Sequence, residues 1–82
     1  MEIFDQVSAV LAELSGTENI RLEDELQNDI GLDSFGLVNL LLTLEESFGI
    51  TLDESDMNPF DLINVQNVVT LVERYLNGES HE

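Results

Sequence analysis

Apolar residues recur along this chain at three- and four-residue steps in three places, and those steps predict three helices. Ile3, Phe4, Val7, Val10, Leu11 and Leu14 describe one amphipathic stripe that ends near Ser15-Gly16. Gly16 can adopt the left-handed conformation that closes a helix. A second helix is predicted over residues 34–48, where Phe35, Val38, Leu41, Leu42 and Phe48 interleave with Leu37, Leu40 and Leu44. This stripe is the broadest in the chain, so the helix should be central. Asp33 or Ser34 suits its N-cap and Gly49 its stop. The third helix, about residues 65–76, carries Val65, Val68, Val69, Val72, Tyr75 and Leu76 behind Asn64 as cap. Its valines favour a strand by propensity, but their spacing is helical and no convincing partner strand exists.

The connections differ in character. Residues 17–33 show no sustained period and are acidic at Glu23-Asp24-Glu25, with Ile20, Leu22, Leu26, Ile30 and Leu32 as anchors that should pin the segment to the core. A connection of that length in a small domain is often functional. Ile50-Thr51-Leu52 reads as a short extended piece, and residues 53–58 as one helical turn that Pro59 interrupts. The tail, residues 77–82, is expected to fray. The expected fold is all-α: a small bundle of three main helices plus a short fourth, in one domain spanning residues 1–82.

Composition then narrows the function. The chain has 82 residues, 43% of them hydrophobic, which is enough for one modest core. No apolar run reaches the roughly 18 residues that cross a membrane, and Met1-Glu2-Ile3-Phe4-Asp5 lacks the basic start of a signal peptide, so a cytoplasmic protein is expected. With no Cys there is no disulfide framework, thiolate nucleophile or zinc cluster. Eighteen acidic residues face two basic ones, Arg21 and Arg74, for a formal net charge of −16. Such a chain repels nucleic acid and anionic lipid and attracts cationic protein surfaces.

Catalysis by the chain's own groups is excluded on several counts. The sole histidine, His81, lies in the tail, so a Ser-His-acid triad has no base. There is no Lys for a Schiff base. The acidic runs at 23–29 and 53–56 lack the alternating ligands, central Gly and terminal Glu of a calcium loop, so no dedicated metal site is expected. What remains is Ser34, at the junction between the acidic connection and the central helix, in Gly31-Leu32-Asp33-Ser34-Phe35-Gly36-Leu37. A serine at a helix start beside a turn-forming glycine is suited to modification by another enzyme.

The run from Gly31 to Ile50 resembles the phosphopantetheine attachment region of acyl and peptidyl carrier proteins, whose pattern is G-x-D-S-L followed by a helix ending in an L-E-x-x-F-like sequence. Here Phe35 stands where Leu is usual. The resemblance implies that a phosphopantetheinyl transferase moves 4′-phosphopantetheine from coenzyme A onto Ser34, with Asp33 as its companion in the modification motif. It further implies that helix 34–48 is a partner-recognition helix, with Phe35, Leu37, Val38, Glu45 and Glu46 as docking residues. Leu37 and Val38 could equally be core residues. The implied partners are an acyl- or aminoacyl-loading ligase and downstream synthase enzymes with basic surfaces, acting on a monomeric carrier of fatty-acid, polyketide or related biosynthesis. Gly36, Asn39 and Thr43 stand where fatty-acid carriers are frequently acidic. That departure speaks against docking to the standard fatty-acid enzymes. The connection from Phe48 to Val65 is also slightly long, and that length, with Asp33-Ser34-Phe35-Gly36 and the run Leu40 to Ile50, looks like D-alanyl and free-standing aminoacyl carriers. An acidic helical interaction module that never carries a cofactor is the alternative from a different class, and it would have no use for Ser34.

The charge imbalance gives a first expectation. Counterions should relieve self-repulsion in the folded state, so NaCl and Mg²⁺ should raise the thermal midpoint in calorimetry. Each relief of about 1 kcal/mol corresponds to about 4–8 °C for a domain of this size. A midpoint independent of both salts would refute the repulsion argument.

Overall fold

The computed structural model describes residues 2–77. Three α-helices carry the architecture: α1 (Ile3–Ser15), α2 (Ser34–Phe48) and α3 (Val65–Leu76). α2 packs against α1, and α1 against α3, in a body with principal extents of 34 × 27 × 20 Å. The described residues contain no strand, only an isolated antiparallel bridge between Glu25 and Asn64. The all-α bundle expected from the periodicity is therefore what forms, and the valines of α3 follow their spacing rather than their propensity.

The helix ends sit where local chemistry puts them. Gly16 and Gly49 close α1 and α2 in the left-handed conformation, at φ 77° and 66°. α3 begins with a reciprocal cap: the Asn67 N–H donates to Asn64 Oδ1 while Asn67 Oδ1 accepts from the Asn64 N–H.

The core is built from Val7, Val10 and Leu11 of α1, Leu37, Leu40, Leu41 and Leu44 of α2, and Val65, Val68, Val69, Leu71 and Val72 of α3. Burying side chains of this size contributes about 1.5–3 kcal/mol each. Leu71 joins this set although the three- and four-step count passes over it. Leu14, Phe35, Val38, Leu42 and Leu76 belong to the predicted stripes but remain exposed.

The acidic connection is held as expected by buried Ile20, Leu26, Ile30 and Leu32, but Leu22 is an exception at 39% exposure. Backbone bonds do the rest. The Leu26 N–H donates to the Ile63 carbonyl, Val65 N–H to Asp24, and Gln66 N–H to Leu22. The chain leading into α3 thus zips along residues 22–26 and leaves Leu22 outside.

Beyond α2, the expected single turn is two consecutive 3₁₀ turns, Glu54–Asp56 and Pro59–Asp61. Pro59 opens the second turn rather than simply ending the first, because its fixed φ and missing N–H suit the first position of a turn. The Ile50–Leu52 piece is irregular chain, with Leu52 buried. Of the expected frayed tail, residues 78–82 lie outside the described residues, and His81 with them.

Both sides of the first 3₁₀ turn are fastened to the end of α3. Asp56 Oδ2 accepts from the Tyr75 hydroxyl at 2.5 Å and from Arg74 Nη2 at 3.0 Å, while the Asp53 N–H donates to the Tyr75 oxygen at 2.8 Å. The Arg74 guanidinium also lies 5.8 Å from the Tyr75 ring centroid. Partial burial of the phenol, and then its hydrogen bond to the Asp56 carboxylate, raise the Tyr75 pKa above its ordinary 10.0.

Tyr75 is the chain's single tyrosine and there is no tryptophan, so its ultraviolet titration reads one group. The fold favours the neutral phenol. Its stabilising contribution is therefore complete below the unfolded-state value of 10.0 and disappears as pH rises through the higher folded value. The tyrosinate absorbance midpoint should lie above 10.0 in the native chain, and Asp56→Asn should move it downwards. An unchanged midpoint in that variant would show that Asp56 does not hold the phenol.

Candidate functional site

The site is built on the junction between the long connection and α2. Gly31, at φ 89°, takes a left-handed turn that other residues resist, and the chain then drops Leu32 into the core. The Leu32 N–H donates to the Leu26 carbonyl at 2.8 Å, which fixes the approach to the helix. Asp33 follows as the N-cap in extended conformation, its Oδ1 accepting from the Gly36 N–H at 2.8 Å. Ser34 is the first helical residue and is exposed.

Gly36 has its own reason to be small. A Cβ at this position would stand 3.0 Å from Leu32 Cδ2 and 3.3 Å from Leu32 Cβ, so the first turn of α2 rests directly on the anchored connection. The hydroxyl of Ser34 is thereby carried on a segment seated from both sides.

The first-turn N–H groups divide between two uses. That of Gly36 goes to the Asp33 carboxylate and that of Leu37 to the Asp33 carbonyl. Those of Ser34 and Phe35 have no acceptor among the described residues. The helix start therefore offers two donors and its dipole to an anion on Ser34, with the Asp33 carboxylate as an opposing charge. The donor set and the open approach fit a phosphodiester on this oxygen.

Around the serine, α2 exposes an apolar stripe. Phe35 is 82% exposed, Val38 41% and Leu42 48%, spaced three and four residues apart on one side of the helix. Ser34, Phe35 and Val38 line one shallow recess, and Asn39, Leu42, Thr43, Glu46 and Ile50 border another farther along. No charged residue occurs from Ser34 to Leu44, although the chain as a whole carries −16. The first carboxylates beyond Asp33 are those of Glu45 and Glu46.

Two of the residues expected to dock partners stand elsewhere. Leu37 is 1% exposed, so it is a core residue and not part of the docking face. It falls on the inward side of α2 with Leu40, Leu41 and Leu44. Glu45 is half-buried, and its Oε2 accepts from the Leu52 N–H at 2.8 Å, which pins the chain after α2. Its carboxylate is committed within the fold, whereas Glu46 is exposed. Leu42, not singled out from the sequence, continues the stripe of Phe35 and Val38. The breadth of the apolar run hid it, because inward and outward leucines alternate too closely to separate by period alone.

A second apolar surface lies across the helix start. Phe60 and Ile63 are 65% and 56% exposed, and a cavity of about 110 Å³ between them and α2 has Leu37 and Leu62 in its lining and Glu25, Gln27 and Asn28 at its rim. Among the described residues no group of three or more acidic or histidine side chains could hold a metal ion, and no helix is long and apolar enough to cross a membrane.

Comparison with known proteins agrees with this geometry. Residues 5–72 match the family model described as "Phosphopantetheine attachment site". A protein of Campylobacter hominis named acyl carrier protein is 33% identical over 75 residues, covering 89% of this chain and 92% of the relative. The acyl carrier protein of Campylobacter lari is 36% identical, covering 89% and 95%, and that of Thermotoga maritima is 30% identical, covering 92% and 93%.

The two faces of α2 should respond differently to truncation. Leu37→Ala should cost about 2–5 kcal/mol in urea unfolding, while Val38→Ala should stay within about 1 kcal/mol of the parent. Equal losses would contradict the assignment of Leu37 to the core and Val38 to the surface.

Proposed function

The chain belongs to the phosphopantetheine-attachment family of acyl carrier proteins, and on that premise we propose that Ser34 is its attachment residue. The protein carries 4′-phosphopantetheine and delivers acyl groups. Once attached, the group supplies the thiol that this cysteine-free chain lacks, and so the site of thioester formation. The observation that carries the assignment of Ser34 is its placement: an exposed hydroxyl on the first residue of α2, behind a capping aspartate and on a segment seated against Leu32.

The chain's residues divide the work. Ser34 offers its oxygen to a phosphopantetheinyl transferase. Asp33 keeps the first turn wound through the Gly36 N–H, and its outward carboxylate is available to the transferase and its Mg²⁺. The N–H groups of Ser34 and Phe35 favour the phosphodiester charge. A flexible arm fixed at one point then presents its cargo to successive enzymes at high effective concentration. The chain acts as the handle and leaves catalysis to its partners.

Docking in this reading uses Phe35, Val38 and Leu42 as an uncharged contact surface, with Glu46 as the carboxylate that meets a basic partner. Phe35, Val38 and Leu42 would contribute by burying apolar area against a partner, and a rim carboxylate mainly tunes encounter rate. The partners are the transferase, a loading ligase and downstream synthase enzymes, met by a monomer in the cytoplasm as a single carrier domain over residues 1–82.

Intact-mass measurement after incubation with coenzyme A, Mg²⁺ and a broad-specificity transferase checks the assignment. The parent chain should gain the mass of one phosphopantetheine and Ser34→Ala none. Gain of the group by Ser34→Ala, or a parent chain left bare beside a carrier that is modified in the same tube, would rule Ser34 out.

A further inference from the structure

Residues 53–58 are fastened unlike the rest of the chain. The Glu54–Asp56 turn buries none of its residues, and within 53–58 only Met57 packs against the core. One end is fixed at Leu52, whose side chain is buried and whose N–H is held by Glu45. The other end is fixed by the Pro59–Asp61 turn, which leans on α2. Between those fixed points the contacts that hold the segment, Met57 apart, include polar ones that converge on the last turn of α3: Arg74 and Tyr75 donate to Asp56 Oδ2, and the Asp53 N–H donates to the Tyr75 oxygen.

The ion pair is open to competition. The Arg74 and Asp56 side chains are 43% and 27% exposed, and beside them a hollow of about 260 Å³ is bordered by Asp61, Leu62, Thr70 and Leu71. Arg74 is one of only two basic residues in the chain, and the other, Arg21, forms an exposed contact with Glu23. Arg21 is thus engaged with Glu23, and a cationic group from a partner can compete with Arg74 for the partly exposed Asp56 carboxylate.

We propose that Asp56, Arg74 and Tyr75 form a polar clasp on the 53–58 segment, which opens while the three helices stay folded when a guanidinium or ammonium group from a basic partner displaces Arg74. Opening swings the turn about its fixed ends and lifts Met57 from the core. Losing a hydrogen bond to a charged group is enough to shift such a local equilibrium roughly tenfold or more. The approach of a cationic surface would thus change the shape of the chain beside α3 as well as bind it.

Amide hydrogen exchange by NMR on the chain with Ser34 unmodified tests the clasp independently of the attachment site. The reporting amides are Asp53, Asp56 and Met57, whose N–H groups donate to Tyr75, Asp53 and Glu54. In Tyr75→Phe and in Arg74→Gln these three should exchange roughly tenfold faster, while Leu41 and Leu44 in α2 keep their rates. An oligo-arginine peptide should speed the same three amides in the parent chain and add little in Arg74→Gln. The proposal is overturned if the variants leave the three amides unchanged, if every helix accelerates by the same factor, or if the peptide acts equally with and without Arg74.

Discussion

The structure depends on burying one side of α2. Leu37, Leu40, Leu41 and Leu44 form a layer that shares one core with Val7, Val10 and Leu11 of α1 and with the buried valines and Leu71 of α3. In a domain this small the net stability is a narrow margin, and here like charges oppose it across most of the exterior. The leucine layer therefore has two effects. It makes the fold possible, and it fixes which residues of the same helix face outwards. With the inward set committed, Phe35, Val38 and Leu42 are left on the open side of the helix that begins at Ser34, the face proposed to dock partners.

The long connection shows how an irregular segment can be made firm without secondary structure. Four apolar side chains anchor it, and backbone bonds from Leu26, Val65 and Gln66 lace residues 22–26 to the strand-like entry into α3. The Asn64–Asn67 cap then starts the helix where the lacing ends. α1 is tied to the far end of α2 by the Gln6 amide donating to the Ser47 carbonyl at 3.0 Å. These contacts are mostly between uncharged groups. That is apt for a chain with two cations, where ion pairs cannot carry the load.

Much of this was legible from residue order. The three helices, the glycine stops of the first two, the Asn64 cap and the exposed serine behind Asp33 follow from period, turn chemistry and capping, which are local rules. The resemblance in residues 31–50 pointed to the family that comparison with known proteins then established. What could not be read was the partition of α2 into two apolar faces. Eight apolar residues in fifteen leave its period ambiguous, so by sequence Leu37 suits a docking surface and the core equally, and nothing marks Leu42 as outward. The other misses depend on distant partners: Glu45 reaching Leu52, Leu22 displaced by the lacing with Gln66, and Tyr75 meeting Asp53 and Asp56. No window along the sequence contains both halves of such contacts.

The contact between Gly36 and Leu32 has a mechanical meaning. With no Cβ to hold them apart, the start of α2 and the end of the connection sit in close contact two residues either side of Ser34. A swinging group reaches repeatable positions only if its pivot is stationary. On the proposal that Ser34 carries the arm, the close seating of Gly36 on Leu32 would hold the arm's origin steady, and a Cβ at position 36 would have to push Leu32 aside by a few tenths of an ångström.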